Sequence, residues 1–101
     1  MQKAITAIGS YRFSVPLGRT FHLSATGAFN GSTLTIKYLN DVAGVLTEQA
    51  FSTTALSLTS AGEKSGVNVG SHNEIVVAIT VANPTGIVVN VNPEALQERG
   101  R

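Results

Sequence analysis

Residues 74–92, EIVVAITVANPTGIVVNVN, decide the fold of this 101-residue chain. Two runs within the stretch, residues 75–82 and 87–91, are rich in valine and isoleucine, which favour β-strands. The sequence Asn83-Pro84-Thr85-Gly86 lies between them. Its proline presets φ for the second position of a type I turn, and its glycine can take the left-handed conformation that a bulged closure needs. The stretch therefore predicts an antiparallel β-hairpin, and it carries no reactive group.

Apolar residues recur at a spacing of two along the rest of the chain. In residues 33–38, threonine and lysine alternate with leucine, isoleucine and tyrosine, so one face of this strand is apolar and the other faces water. Breakers that contain glycine, asparagine or proline separate such runs at intervals of about 8 to 12 residues. The pattern predicts an all-β chain that forms a single antiparallel β-sandwich, of either the jelly-roll or the immunoglobulin-like type.

The length of the chain suits one domain with one two-layer core. At 10.5 kDa a second core would not fit, and we expect residues 1–101 to form a single β-sandwich domain. Residues 1–8 are interpreted as a possible N-terminal arm, and residues 93–101 as a C-terminal tail or short helix. Asn92 could cap that helix, and Pro93 suits its first position.

Charge and cysteine content narrow the classes of partner. The formal net charge is +1 and 13% of the residues are charged, so no broad positive field is present to bind nucleic acid. No run approaches the ~18 apolar residues of a membrane span, and the first residues lack the apolar core of a secretory signal. We therefore expect a soluble product made in the cytoplasm that binds neither nucleic acid nor membrane. Without cysteine, the fold depends on packing or on assembly with other copies.

Two segments are predicted to mediate contacts between copies. Residues 75–79 are apolar at every position, so this strand lies at the centre of its sheet or has its outer face, with Val76 and Ala78, covered by another subunit. In the N-terminal arm, Ile5 and Ala7 would contact a neighbour if the arm adds a strand to its sheet. The mean hydropathy of +0.18 is high for a small monomer with so few charges, which also favours an oligomer.

The sequence predicts no enzyme, no metal site and no cofactor site. A hydrolytic triad would need His22 or His72 to meet Asp41, the only aspartate, and a hydroxyl, but no nucleophile elbow is present. The two histidines are far apart in sequence and lack metal-ligand spacing. Glycine-rich phosphate-binding motifs are also absent.

A carbohydrate-binding or adhesin sandwich is an alternative from another functional class. Such domains usually stack sugar rings on exposed aromatic side chains, often tryptophan, and this chain has no tryptophan. The function would require an exposed cluster of Tyr11, Phe29 or Phe51.

The segment from Glu74 to Val89 resembles the final hairpin of small β-sandwich structural proteins of tailed bacteriophages. A GSTLTIKY strand at residues 31–38 is similar to an earlier strand of those proteins. As in that family, an Asn/Asp/Gly hairpin and a second strand, here residues 46–51, follow it. The central hairpin departs from the group because it lacks an Asp-Gly-Gly sequence and a tryptophan.

This resemblance implies a non-enzymatic virion structural protein that decorates or stabilises the phage head. Its partners would be other copies of the chain, with a trimer favoured, and the major capsid protein. A tail or baseplate module is the alternative within the virion. The resemblance carries over no catalytic, metal-binding or cofactor-binding residue.

Overall fold

The computed structural model describes residues 2–51 and 56–93, which form nine β-strands and contain no helix. Side chains alternate between buried and exposed along several strands, as the spacing of two predicts. The prediction of an all-β chain is confirmed. The strands are β1 (Gln2–Ile5), β2 (Gly9–Ser14), β3 (Thr20–Ala28), β4 (Thr33–Val42), β5 (Val45–Ala50), β6 (Ser57–Leu58), β7 (Gly62–Val67), β8 (Glu74–Thr80) and β9 (Gly86–Pro93).

The strands form two antiparallel sheets that pack against each other as a sandwich. The first sheet has the order β1-β9-β3-β7, and the second has the order β2-β8-β4-β5, with β6 also paired to β4. The β4–β5 and β5–β6 connections join strands of the second sheet. Every other pair of consecutive strands has one strand in each sheet. This strand order is that of a jelly roll, whereas an immunoglobulin-like sandwich pairs its first two strands in one sheet. The strand order thus decides between the two types that the sequence left open.

The predicted hairpin at residues 74–92 is wrong in its pairing, although both strands are present. β8 pairs with β2 and β4, whereas β9 pairs with β1 and β3, so residues 81–85 cross between the sheets. Each strand is central in its own sheet, and strands distant in sequence therefore satisfy its backbone hydrogen bonds on both sides. The left-handed conformation expected at Gly86 is found instead at Val81, where φ is +78°.

A single apolar core lies between the sheets and receives the inward side chains of both. Its buried members are aliphatic side chains and phenylalanines, and Tyr11, Phe51, Leu56 and Leu58 pack against it while partly buried. The buried members are Ile5, Phe13, Val15, Phe21, Leu23, Ala25, Phe29, Leu34, Ile36, Ile75, Val77, Ile79, Ile87, Val89 and Val91.

β4 and β5 form the hairpin that the sequence predicts. Asn40 and Asp41, the Asn/Asp part of the predicted turn, belong to β4, which continues to Val42. Ala43 and Gly44 form the turn, with φ of +52° and +82°. Two successive residues with positive φ are what a two-residue type I′ turn requires.

The outer face of β8 is buried within the chain itself. Val76 and Ala78 are 0% and 4% exposed, although neither belongs to the cluster between the sheets. The hydroxyl of Ser10 in β2 donates a hydrogen bond to a carboxylate oxygen of Glu48 in β5, at 3.3 Å. This contact joins two strands that β8 and β4 separate in the order of the sheet.

The two ends of the chain differ from their sequence interpretation. Residues 2–5 of the predicted arm form an edge strand, β1, which pairs with β9 of the same chain. Pro93 does not begin a helix, because it is the last residue of β9 and pairs with Phe21. The rest of the predicted C-terminal helix, residues 94–101, lies outside the described residues.

Candidate functional site

Three of the four predicted assembly contacts are buried inside the chain. Ile5 is 1% exposed and belongs to the core, and Val76 and Ala78 are 0% and 4% exposed on the outer face of β8. None of the three side chains is presented on the surface of the single chain. Ala7 is exposed in the loop between β1 and β2, and its role as a contact stays a prediction.

The two histidines lie on the surface, each beside a polar side chain. His22 Nδ1 is 2.7 Å from the hydroxyl oxygen of Ser65 on the neighbouring strand β7. His72 Nε2 is 3.3 Å from Asp41 Oδ1, and the hydroxyl oxygen of Ser71 accepts the Asp41 N–H at 3.1 Å.

A histidine, the aspartate and a hydroxyl therefore do come together, but in an open arrangement. The side chains of His72 and Asp41 are 41% and 56% exposed, and they form an ion pair when the imidazole is protonated. The Ser71 hydroxyl is bonded to the backbone of Asp41. These contacts hold the β4–β5 hairpin against the loop that precedes β8, and an ion pair this exposed contributes little stability.

Within residues 2–51 and 56–93 the structure contains no cavity, and no three His, Asp or Glu side chains are grouped to hold a metal ion. The same residues include no helix suited to crossing a membrane.

The aromatic residues proposed for sugar binding belong to the core or its margin. Phe29 is 5% exposed, and Tyr11 and Phe51 are partly buried against the core. The Phe51 ring also packs on Tyr38, with ring centroids 5.3 Å apart. These side chains do not form the exposed cluster that a carbohydrate platform would need.

One end of the sandwich is built around a buried asparagine. Asn68 is 1% exposed, and its side-chain amide group donates to the backbone oxygens of Val15 at 2.7 Å and His72 at 2.9 Å. Its side-chain oxygen accepts the Gly70 N–H at 3.1 Å. Both amide hydrogens and the carbonyl oxygen are therefore satisfied inside the protein. One side chain fixes the loop that follows β2 to the loop that precedes β8.

Further hydrogen bonds brace the same end. The Leu17 N–H donates to the side-chain oxygen of Asn73 at 3.0 Å. The Ser71 N–H donates to the Leu39 oxygen at 2.8 Å, which attaches the loop before β8 to β4. Two loops and the β4–β5 hairpin are thus held together as one surface. We call this surface the Asn68 end, and it comprises residues 15–19, 41–46 and 67–73.

The Asn68 end carries most of the exposed large apolar side chains. Nine such side chains are exposed in the part of the chain that the structure describes, and those at this end are Leu17, Val42, Val45, Leu46, Val67 and Val69. Val45 and Val69 are 62% and 60% exposed. The charged or titratable residues of this end are Arg19, Asp41 and His72. An apolar centre with few charges is the composition of a protein-binding surface.

The sequence pattern does not reveal this surface. It marks residues 70–73 as a turn, and the alternation of Val67 and Val69 predicts inward strand positions. In the structure β7 ends at Val67, and the residue that then points into the protein is Asn68. Both valines are therefore exposed. No local sequence signal marks this reversal, because the loops that meet there are brought together only by the fold.

Comparisons with known proteins support the fold alone. No protein-family model and no curated protein matches the sequence. A de novo designed double-stranded β-helix, solved by solution NMR, has 14% identity and a TM-score of 0.51 over 93% of this chain and 96% of that one. PliG of Aeromonas hydrophila, a periplasmic inhibitor of g-type lysozyme, has 11% identity and a TM-score of 0.55 over 93% of this chain and 83% of its own. At such low identities, both similarities concern architecture.

Proposed function

We propose that this chain is a non-enzymatic structural protein that binds another protein through the Asn68 end and also associates with copies of itself. The setting that the resemblance implies is the virion of a tailed bacteriophage, where the chain would decorate or stabilise the head by binding the major capsid protein. A trimer is the form of self-association that the resemblance favours. The jelly roll is a fold that viral capsid domains use, which is compatible with this setting.

The observation that carries the proposal is the exposed apolar surface of the Asn68 end. Six large aliphatic side chains are exposed there. Leu17 and Val69 lie on the two loops that the Asn68 hydrogen bonds link, and the other four lie at the ends of β4, β5 and β7. A loop surface fixed before binding loses less conformational freedom on association, so more of the burial energy becomes affinity. The alternatives within the virion, a tail or baseplate module, would use the same surface on a different partner.

Carbohydrate binding is not favoured by the described residues, since Phe29 is buried and Tyr11 and Phe51 pack on the core. Hydrolysis is not favoured either, because the His72–Asp41 pair is open to water and its neighbouring hydroxyl is bonded to backbone.

The proposal is tested by binding of the purified protein to lattices assembled from the major capsid protein encoded in the same genome. Substituting Val45→Asp or Val69→Asp places a charge in the apolar centre and should weaken co-sedimentation ~10-fold or more, because burial of a valine contributes about 1.5–3 kcal/mol. Val88→Asp, on the outer face of the other sheet at 36% exposed, is the matched control and should bind as the unsubstituted protein does. Absence of lattice binding by the unsubstituted protein, or equal binding by all three variants, would contradict the proposal.

A further inference from the structure

Val81 has a backbone conformation that β-branched residues rarely adopt. Its φ is +78°, and the Ala82 N–H donates to the Thr80 oxygen at 3.0 Å, so residues 80–82 form a γ-turn of the rare, strained kind. The Val81 side chain is 77% exposed, and burial within the chain therefore does not offset this strain. Glycine or asparagine would adopt the same conformation more easily. Such a residue indicates a role outside the folding of the single chain.

A second exposed apolar side chain lies beside Val81. The pairing of Gly9 with Ile79 brings Ile8, which is 51% exposed, next to the γ-turn. The side-chain oxygen of Asn83 accepts the Ile8 N–H at 2.9 Å, and its backbone oxygen accepts a hydrogen bond from the Asn30 side chain at 3.3 Å. Three loops are thus linked, and they present the two apolar side chains on a braced surface.

This surface lies at the end of the sandwich opposite the Asn68 end and contains no ionisable side chain. It is formed by the loops that join β1 to β2, β3 to β4, β6 to β7 and β8 to β9. None of the residues in these loops is Asp, Glu, Lys, Arg or His. We call this surface the charge-free end, and it comprises residues 6–8, 29–32, 59–61 and 81–85.

We infer that copies of this chain meet at the charge-free end, with Val81 and Ile8 of each copy packed around a symmetry axis. The inference rests on the self-association part of the proposed function and assigns it a surface. A charged partner would lose hydration at this end and find no opposite charge there. A second copy brings an equally uncharged surface, so no like charges are brought together, and symmetry repeats each contact.

This arrangement also leaves the Asn68 end of every copy free, because that surface lies at the other end of the strands. Self-association and binding of a second protein would then use separate surfaces. The exposed Ala7, predicted from the sequence as an assembly contact, belongs to the charge-free end.

Sedimentation velocity and native mass spectrometry of the purified full chain, from low to high micromolar concentration, test the inference. The key variant is Val81→Asn, because asparagine tolerates positive φ and retains the turn without the apolar side chain. We expect this variant to have a dissociation constant for self-association raised ~10-fold or more. Val45→Asn, at the opposite end, is the matched control and should assemble as the unsubstituted protein does.

Thermal melting at a dilution where both proteins are monomeric separates folding from association. The Val81→Asn monomer should melt at the same temperature as the unsubstituted monomer or higher, because strain is relieved. A lower melting temperature would show that Val81 serves the fold and would overturn the inference.

Two other results would also overturn it: an unsubstituted chain that stays monomeric at all concentrations, or a Val81→Asn variant that assembles normally. Binding of the Val81→Asn monomer to capsid lattices separates the two proposals, because lattice binding depends on the Asn68 end. If self-association does not depend on Val81 but lattice binding is retained, this inference fails and the proposed function stands.

Discussion

Replacing Asn68 by alanine should destabilise the protein strongly, although it removes a polar side chain from a loop. The side chain makes hydrogen bonds of 2.7 Å to Val15, 2.9 Å to His72 and 3.1 Å to Gly70, and it is 1% exposed. Each hydrogen bond contributes about 1 kcal/mol net, and the partner groups left without a bond are partly or fully shielded from water. We therefore expect a loss of about 2–4 kcal/mol in the free energy of unfolding.

This loss is a large fraction of the roughly 5–15 kcal/mol that stabilises a domain of this kind. It corresponds to a fall in melting temperature of about 8–32 °C, at about 4–8 °C per kcal/mol for a chain of this size. Urea unfolding followed by far-ultraviolet circular dichroism measures the loss directly, and the slope of the transition should not change. Hydrogen exchange should also become faster at the Leu17 and Gly70 amides, which the same network positions.

Asn92→Ala is the matched control, because Asn92 is exposed on β9 and should change stability by no more than about 0.5 kcal/mol. If Asn68→Ala is as stable as Asn92→Ala, the side chain does not hold the two loops together. The account of the Asn68 end as a prearranged surface would then be refuted.

Two further predictions concern close packing. A Cβ atom at Gly70 would lie 2.1 Å from the Leu39 oxygen, so Gly70→Ala should lower the free energy of unfolding in urea by ~1–3 kcal/mol or more. Gly86→Ala is the control and should be nearly neutral, because nothing lies within 4 Å of its Cβ position. A costly Gly86→Ala would instead indicate the left-handed conformation that the sequence suggests. Val77→Ala should lose about 2–3 kcal/mol in the free energy of unfolding, because Val77 is fully buried in the core. Val88→Ala, on the exposed face, should lose under ~1 kcal/mol. Equal losses would contradict the assignment of inner and outer faces.

The strands themselves could be predicted from the sequence, because alternation of apolar and polar side chains is a local property that the pleat imposes. β3 and β9 follow their alternation closely, and β4 follows it as far as Lys37. The uninterrupted apolar run of β8 indicates either a central strand or an outer face covered by another subunit. The structure shows that β8 is central, between β2 and β4. These conclusions need only the spacing of residues along the chain.

The surfaces proposed for binding were less predictable. Val76 and Ala78 look like contacts for a neighbour, but both side chains are buried within the single chain. Asn68 gives no warning in sequence that it will be buried, because its partners Val15 and His72 come from different loops. Burial of this kind depends on where distant segments lie, which alternation does not encode.

The sequence by itself determined an all-β chain with little charge, in which most strands have one apolar face and residues 75–79 have two. Only the tertiary structure decided which strands pair. A short connection can close a hairpin or carry the chain from one sheet to the other. Residues 81–85 do the second because β8 and β9 each find partners on both sides elsewhere in the chain. The same choice places Val81 in a strained turn on the charge-free end, since the backbone must change direction where it leaves one sheet for the other.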